Sequence, residues 1–221
     1  MIDESTIMNL ELIRVIVNEG KASKILKFAR DNGLRGGTIL LAQGTASNTI
    51  LDFLGLTEVR KEVVYLIQER EKNTTFLKKL SDTFNIEKPN QGIIFTTDII
   101  GFYGTKEITC PMILHDEKGD LMYHLITIIV DKGKAENVID AAKEAGSKGG
   151  TIINARGSGI HETAKIFNFE IEPEKEMILI LSEADTTQDI VDSIRRKTDI
   201  EQPGKGIIFI QNVNKTYGLY K

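Results

Sequence analysis

Arg156-Gly157-Ser158-Gly159 has the residue types from which an anion site is made. The four follow a β-branched apolar run and precede a stretch, Ile160 to Phe167, that reads as a short helix. In that setting backbone N–H groups and a helix N-terminus meet negative charge. Arg156 adds a planar, forked cation suited to phosphate or carboxylate. The competing reading is a tight turn that needs its glycines for positive φ. Gly204-Lys205-Gly206 offers a similar choice: it meets a phosphate, or it simply enters the following strand.

Other chemistry-bearing residues form no convincing set. His161 and Glu162 are of general acid/base type, but neighbours on a helix diverge by about 100 degrees and do not share a proton path. His115 and His124, with Asp116, Glu117 and Asp120 between them, match no established metal-ligand spacing and read as a solvated linker. Cys110 is the only cysteine, which excludes an intramolecular disulfide and a cysteine-rich zinc site. No Ser/His/Asp, Cys/His or paired-carboxylate arrangement recurs in both halves of the chain, so a binder is expected rather than an enzyme.

The halves are copies. Gly20, Lys21, Ala22, Gly33, Gly36, Gly37, Thr38, Ile39, Ala42 and Gly44 return 113 residues later, from Gly133 to Gly157. Lys61, Glu62, Pro89, Gly92, Ile93, Ile94, Phe95, Tyr103 and Gly104 return 114 residues later, as Lys175, Glu176, Pro203, Gly206, Ile207, Ile208, Phe209, Tyr217 and Gly218. The extra residue falls between Gly44 and Lys61, marking a loop that absorbs length. In 221 residues, two repeats of roughly 100 each have the size of small domains. The expected limits are 8–104 and 122–221, with 105–121 as linker.

Composition is that of a soluble globular chain, 41% hydrophobic and 27% charged, with a formal net charge of −4. Nothing in that balance favours nucleic acid. The N-terminus lacks a basic n-region and an apolar h-region, and no stretch is apolar for long enough to span a membrane. A cytoplasmic protein without membrane insertion is expected.

Each repeat opens with a strand, Met8 to Val17 and Tyr123 to Val130, apolar enough to be buried on both faces. A helix follows with one stripe, Ala22, Ile25, Leu26 and Ala29, then Ala135, Val138, Ile139 and Ala142 in the second copy. Gly33 and Gly146 stand where a left-handed C-terminal cap is needed. Second strands run Thr38 to Ala42 and Thr151 to Ala155, third strands Val63 to Gln68 and Met177 to Ser182. The second helices are Thr74 to Phe84 and Thr186 to Lys197, the latter with Asp185 and Gln188 at capping-box spacing. A proline-containing loop leads into GIIF as fourth strand. The order βαββαβ specifies an α+β chain of two tandem ferredoxin-like domains, each a four-stranded antiparallel sheet with helices on one face. The bare face needs a cover, for which another repeat is the obvious candidate.

That order, with Gly149 to Gly159 (GGTIINARGSG) and Pro203 to Phe209 (PGKGIIF), resembles the nitrogen regulatory PII family. The family's G-x-T-x-x-x-x-K-G-x-G pattern is met by Gly149, Thr151, Arg156, Gly157 and Gly159, with Arg for Lys. The resemblance implies that this strand end begins a partner-contacting loop, and that Gly204, Lys205 and Gly206, with Thr151 and Arg156 to Gly159, cradle the phosphates of an adenine nucleotide such as ATP, ADP or AMP. It also implies a homotrimer. Departures are visible: lysine stands inside the turn rather than after it, the loop is short and lacks tyrosine, and the first repeat has Gln43-Gly44-Thr45-Ala46 and Asn90-Gln91-Gly92 instead. The expected role is a regulator that binds a small anionic effector, which orders the loop from Arg156 to Pro173 so that a protein partner reads it. The other reading is an oligomeric structural or divalent-cation-handling protein of the same fold.

Overall fold

The computed structural model describes residues 9–45, 58–104, 123–159, 164–166 and 169–218. In chain order its elements are β1 Leu10–Asn18, α1 Ala22–Asp31, β2 Gly37–Thr45, β3 Glu58–Glu69, α2 Arg70–Phe84, β4 Gly92–Ile99 and β5 Gly101–Tyr103. Then come β6 Tyr123–Asp131, α3 Ala135–Glu144, β7 Thr151–Ser158, β8 Ala164–Ile166, β9 Phe169–Ile171, β10 Glu174–Glu183, α4 Thr187–Thr198 and β11 Gly206–Val213. With β5 and the β8–β9 hairpin set aside, each repeat reads βαββαβ, which is the ferredoxin-like order.

Two units divide the chain, and they do not follow the repeats. The first joins Leu10–Thr97 to Ala155–Glu172; the second joins Asp98–Asn154 to Pro173–Lys221. The first unit has strand order β4-β1-β3-β2. β1 and β2 both pair antiparallel with β3, Val15 facing Val64 and Ile39 facing Val64 from the other side. Ala22, Ile25, Leu26 and Ala29, the stripe read from the spacing, are buried against Ile13, Val15, Val17, Ile39, Val64 and Leu66. α2 adds Phe76 and Leu80 and begins at Arg70, four residues before the expected start.

In the second unit β7, β10, β6 and β11 lie in that order, and β5 extends the edge beyond β11. Phe102 of β5 faces Phe209, and Ile100 N–H donates to the Ile210 carbonyl at 2.9 Å. The core is Ile126, Ile128, Val130, Ile178, Ile180, Ile208 and Ile210 under Val138, Ala142, Ile190, Val191 and Ile194. Gly33 and Gly146 hold φ of 88° and 95°, so the short helices do end in a left-handed residue. α4 is entered differently from the expected capping box. Thr186 is its N-cap and makes no side-chain cap bond, while the Thr186 and Thr187 hydroxyls donate to the Glu183 carbonyl. The helix expected over Ile160 to Phe167 is replaced at Ala164–Ile166 by a strand paired with Phe169–Ile171. The 105–121 linker and the 46–57 part of the length-absorbing loop lie outside the described residues.

Candidate functional site

Arg156, Gly157 and Ser158 are strand residues, not a turn. They close antiparallel on β2, Ile39 facing Arg156, Thr38 facing Gly157 and Gly37 facing Ser158. Neither Gly157 nor Gly159 has positive φ, so the conformational reason for glycine fails. Proximity supplies another: a Cβ on Gly157 would stand 2.3 Å from the Gly37 carbonyl oxygen, and one on Gly36 would stand 2.5 Å from that of Ser158. Glycines on both strands let the two backbones approach.

The Arg156 guanidinium meets carboxylates. Its Nη2 donates to Glu62 Oε1 at 2.5 Å, and its Nε lies 3.4 Å from Glu172 Oε2. The second contact is an ion pair without hydrogen-bond geometry, which leaves the buried Nε–H unbonded. Glu62 is only 2% exposed, and its other oxygen accepts the Gly20 and Ala22 N–H groups, each at 2.9 Å. Glu172 Oε2 also accepts the Ser23 hydroxyl at 3.0 Å. Ser158 Oγ accepts Arg30 Nη1 at 2.6 Å. Glu62 and Glu172, the partners of Arg156, are not among the site residues read from the sequence. Glu62 had a signal, since Lys61-Glu62 returns as Lys175-Glu176; nothing in the sequence marks Glu172.

Gly204, Lys205 and Gly206 belong to the second unit, as does Thr151, which is exposed at the start of β7. Gly204 has φ 80°, and a Cβ on Gly206 would stand 2.4 Å from the Ile129 carbonyl oxygen. Gly92 repeats this in the first unit against the Ile16 carbonyl at 2.6 Å, so this glycine serves strand packing in both copies. Lys205 is exposed and has no ion pair among the described residues. At its position in the first repeat Gln91 accepts Lys21 Nζ at 2.6 Å.

His124 is buried, with Nδ1 3.0 Å from the Thr187 hydroxyl; Thr187 Oγ1 lies 2.7 Å from Ser182 Oγ. Burial lowers the pKa of this histidine. Among the described residues no three His, Cys, Asp or Glu side chains gather as a metal site. Cys110, His115, Asp116, Glu117, Asp120, His161 and Glu162 lie outside them. No helix among the described residues is long and apolar enough to cross a membrane.

Two ferredoxin-like repeats with glycine-dependent strand approaches and turns define an α+β, ferredoxin-like class, and comparison with known proteins gives the family. The family model described as nitrogen regulatory protein P-II matches residues 123–221. The nitrogen fixation nifHD region glnB-like protein 1 of Methanococcus maripaludis is 30% identical over 94 residues, 42% of this chain and 90% of that protein. The chain belongs to the nitrogen regulatory P-II family. Among solved structures, Arabidopsis thaliana PII bound to citrate is 20% identical at a TM-score of 0.34, covering 43% of this chain and 78% of that one. The B. subtilis GlnK–ATP complex is 18% identical at 0.35, covering 42% and 83%.

Proposed function

We propose that the protein is a non-enzymatic P-II-type signal-transduction regulator whose effector is a small anion, an adenine nucleotide being the first candidate. The observation that carries this reading is the family match over the second repeat, 123–221. That repeat holds Thr151, Arg156 to Gly159 and Gly204 to Gly206. Lys205 supports it further as an exposed cation with no ion pair among the described residues. The ATP complex of the B. subtilis relative motivates the choice of nucleotide. A regulated protein partner and a homotrimer belong to the same proposal.

A thermal-shift panel with ATP, ADP, AMP, cyclic nucleotides and 2-oxoglutarate, with and without divalent metal, tests it, because a ligand that binds only the folded state must raise apparent stability. A saturable shift with one nucleotide, abolished in Lys205→Ala, is the expected result. A panel without any shift rejects the nucleotide, and a shift with metal alone favours the cation-handling reading.

A further inference from the structure

We infer that residues 215–217 of one copy of this chain add as a strand to the outer edge of β4 in a second copy. The repeat supplies the argument, because the same arrangement is already made once within the chain. In the first repeat β4 runs on into β5, and Gly101–Tyr103 lies antiparallel on the outer edge of β11, Tyr103 facing Ile208, Phe102 facing Phe209 and Gly101 facing Ile210. Both strands belong to one unit. Tyr103 is 2% exposed. Its hydroxyl donates to Gln188 Oε1 at 3.4 Å, and Arg195 lies 4.5 Å from its ring centroid.

The second repeat lacks the counterpart. Residues 215–217 stand 114 positions after 101–103 and end in the same pair, Tyr217-Gly218 for Tyr103-Gly104. Both glycines have positive φ, 79° and 118°. Residues 215–217 nevertheless pair with no strand among the described residues, and Tyr217 is 90% exposed. The acceptor edge is bare to match. β4 and β11 share the sequence Gly-Ile-Ile-Phe, yet among the described residues no strand lies outside β4. Ile208 and Phe209 are fully buried, whereas Ile94 is half-buried and Phe95 is 42% exposed. An apolar edge strand without lysine or proline is a template for another chain. Main-chain pairing then supplies affinity, and alternate side chains supply register. A free donor strand and a free acceptor edge in one chain are complementary between two copies. Thr74 and Ser81 hold in α2 the positions of Gln188 and Arg195 in α4. Tyr217 would therefore meet hydroxyls without a guanidinium, and the contact between copies is the weaker of the two.

This inference rests on the self-association in the proposed function and not on its effector. The offset of 114 fixes the register: Phe95 faces Thr216, and Thr96 faces Lys215, of the neighbouring copy. Directly opposed residues of an antiparallel pair have Cα atoms about 4.5–5.5 Å apart, within reach of a disulfide. Full-length chains carrying Cys110→Ser and one new cysteine are mixed in pairs and oxidised, and the linked peptides are identified by mass spectrometry. Phe95→Cys with Thr216→Cys, and Thr96→Cys with Lys215→Cys, are expected to link between chains. Phe95→Cys with Lys215→Cys, on opposite faces, should link about tenfold less. Light scattering of the wild type reads self-association separately. A mass above one chain with neither in-register link overturns the strand addition and leaves self-association standing; a mass of one chain overturns both. Links found only when both cysteines share one chain would seat 215–217 on its own β4 and overturn the second copy as occupant. Tyr217→Asp alters an exposed side chain and should raise the concentration at which copies separate by about tenfold. An unchanged value overturns the inference as well.

Discussion

Glu62 and Glu176 do the same work in the two repeats: each strand carboxylate caps the helix that precedes it in sequence. Oε2 of Glu62 accepts Gly20 and Ala22 N–H, and Oε2 of Glu176 accepts Lys134 N–H at 3.1 Å and Ala135 N–H at 2.9 Å. Lys21 and Lys134, at the N-cap positions, make no side-chain cap bond. The glutamates supply what a local serine or aspartate usually supplies.

The two should differ when removed. Glu176→Ala is expected to cost about 1–2 kcal/mol, the range of a lost cap. Glu62→Ala also strips a partner from Arg156, and because that guanidinium is partly solvated the total is expected at about 2–3 kcal/mol. Urea melts of the two variants decide this. Equal costs would mean that Arg156 contributes nothing to the fold through Glu62.

Gly157→Ala and Gly159→Ala separate packing from ligand cradling. The added Cβ at 157 meets backbone at 2.3 Å, which cannot yield as a side-chain tip does. A loss of about 1–3 kcal/mol is expected, with the β2–β7 pairing broken. At 159 a Cβ meets nothing within 4 Å, so stability should stay within about 0.5 kcal/mol. Thermal melts check both. A destabilised Gly159→Ala would contradict the geometry, and a stable one with weaker nucleotide response would place Gly159 at the effector.

What was legible in the sequence was local. The 3.6-residue stripe of α1 and the glycines at 33 and 146 were readable because period and left-handed caps are properties of neighbouring residues. The strap was not. Ala155–Glu172 joins the first unit through pairing across more than a hundred residues of chain, and no local pattern encodes that register. The same holds for Gly101–Tyr103 on β11. Ile160 to Phe167 failed differently: apolar spacing in a short run does not distinguish helix from strand. Arg156 was found for its charge, but its carboxylate partners are contributed by β3 and by residue 172.

On the first unit, the sheet face away from α1 and α2 carries apolar groups exposed to solvent, Ile93 at 60% and Phe95 at 42%. Arg14 lies over the Tyr65 and Phe95 rings, 5.1 and 5.7 Å from their centroids. Such a face is expected to be covered in an oligomer. Light scattering should give three times the 24.7 kDa chain, and Phe95→Lys should shift the mass toward a single chain. A wild-type mass of one chain would sink the trimer.

His124 makes a prediction about pH. Thr187 Oγ1 donates to the Glu183 carbonyl, so it accepts from Ser182 and from His124, which places a proton on Nδ1 of the imidazole. Burial lowers its pKa below the ordinary 6.5. The unfolded chain therefore takes up a proton near pH 6.5 that the folded one still refuses, and the unfolded state is favoured as pH falls. The contribution of His124 is complete above about pH 6.5 and is lost progressively below it, down to the folded-state pKa. In the first repeat Glu11 and Asn73 occupy the positions of His124 and Thr187 and hydrogen-bond to each other, so that copy carries no histidine there. Melting temperatures at about pH 7.5 and about pH 5.5 should fall further apart in the wild type than in His124→Gln. An equal fall in both would mean that the imidazole takes up its proton inside the fold as readily as outside it.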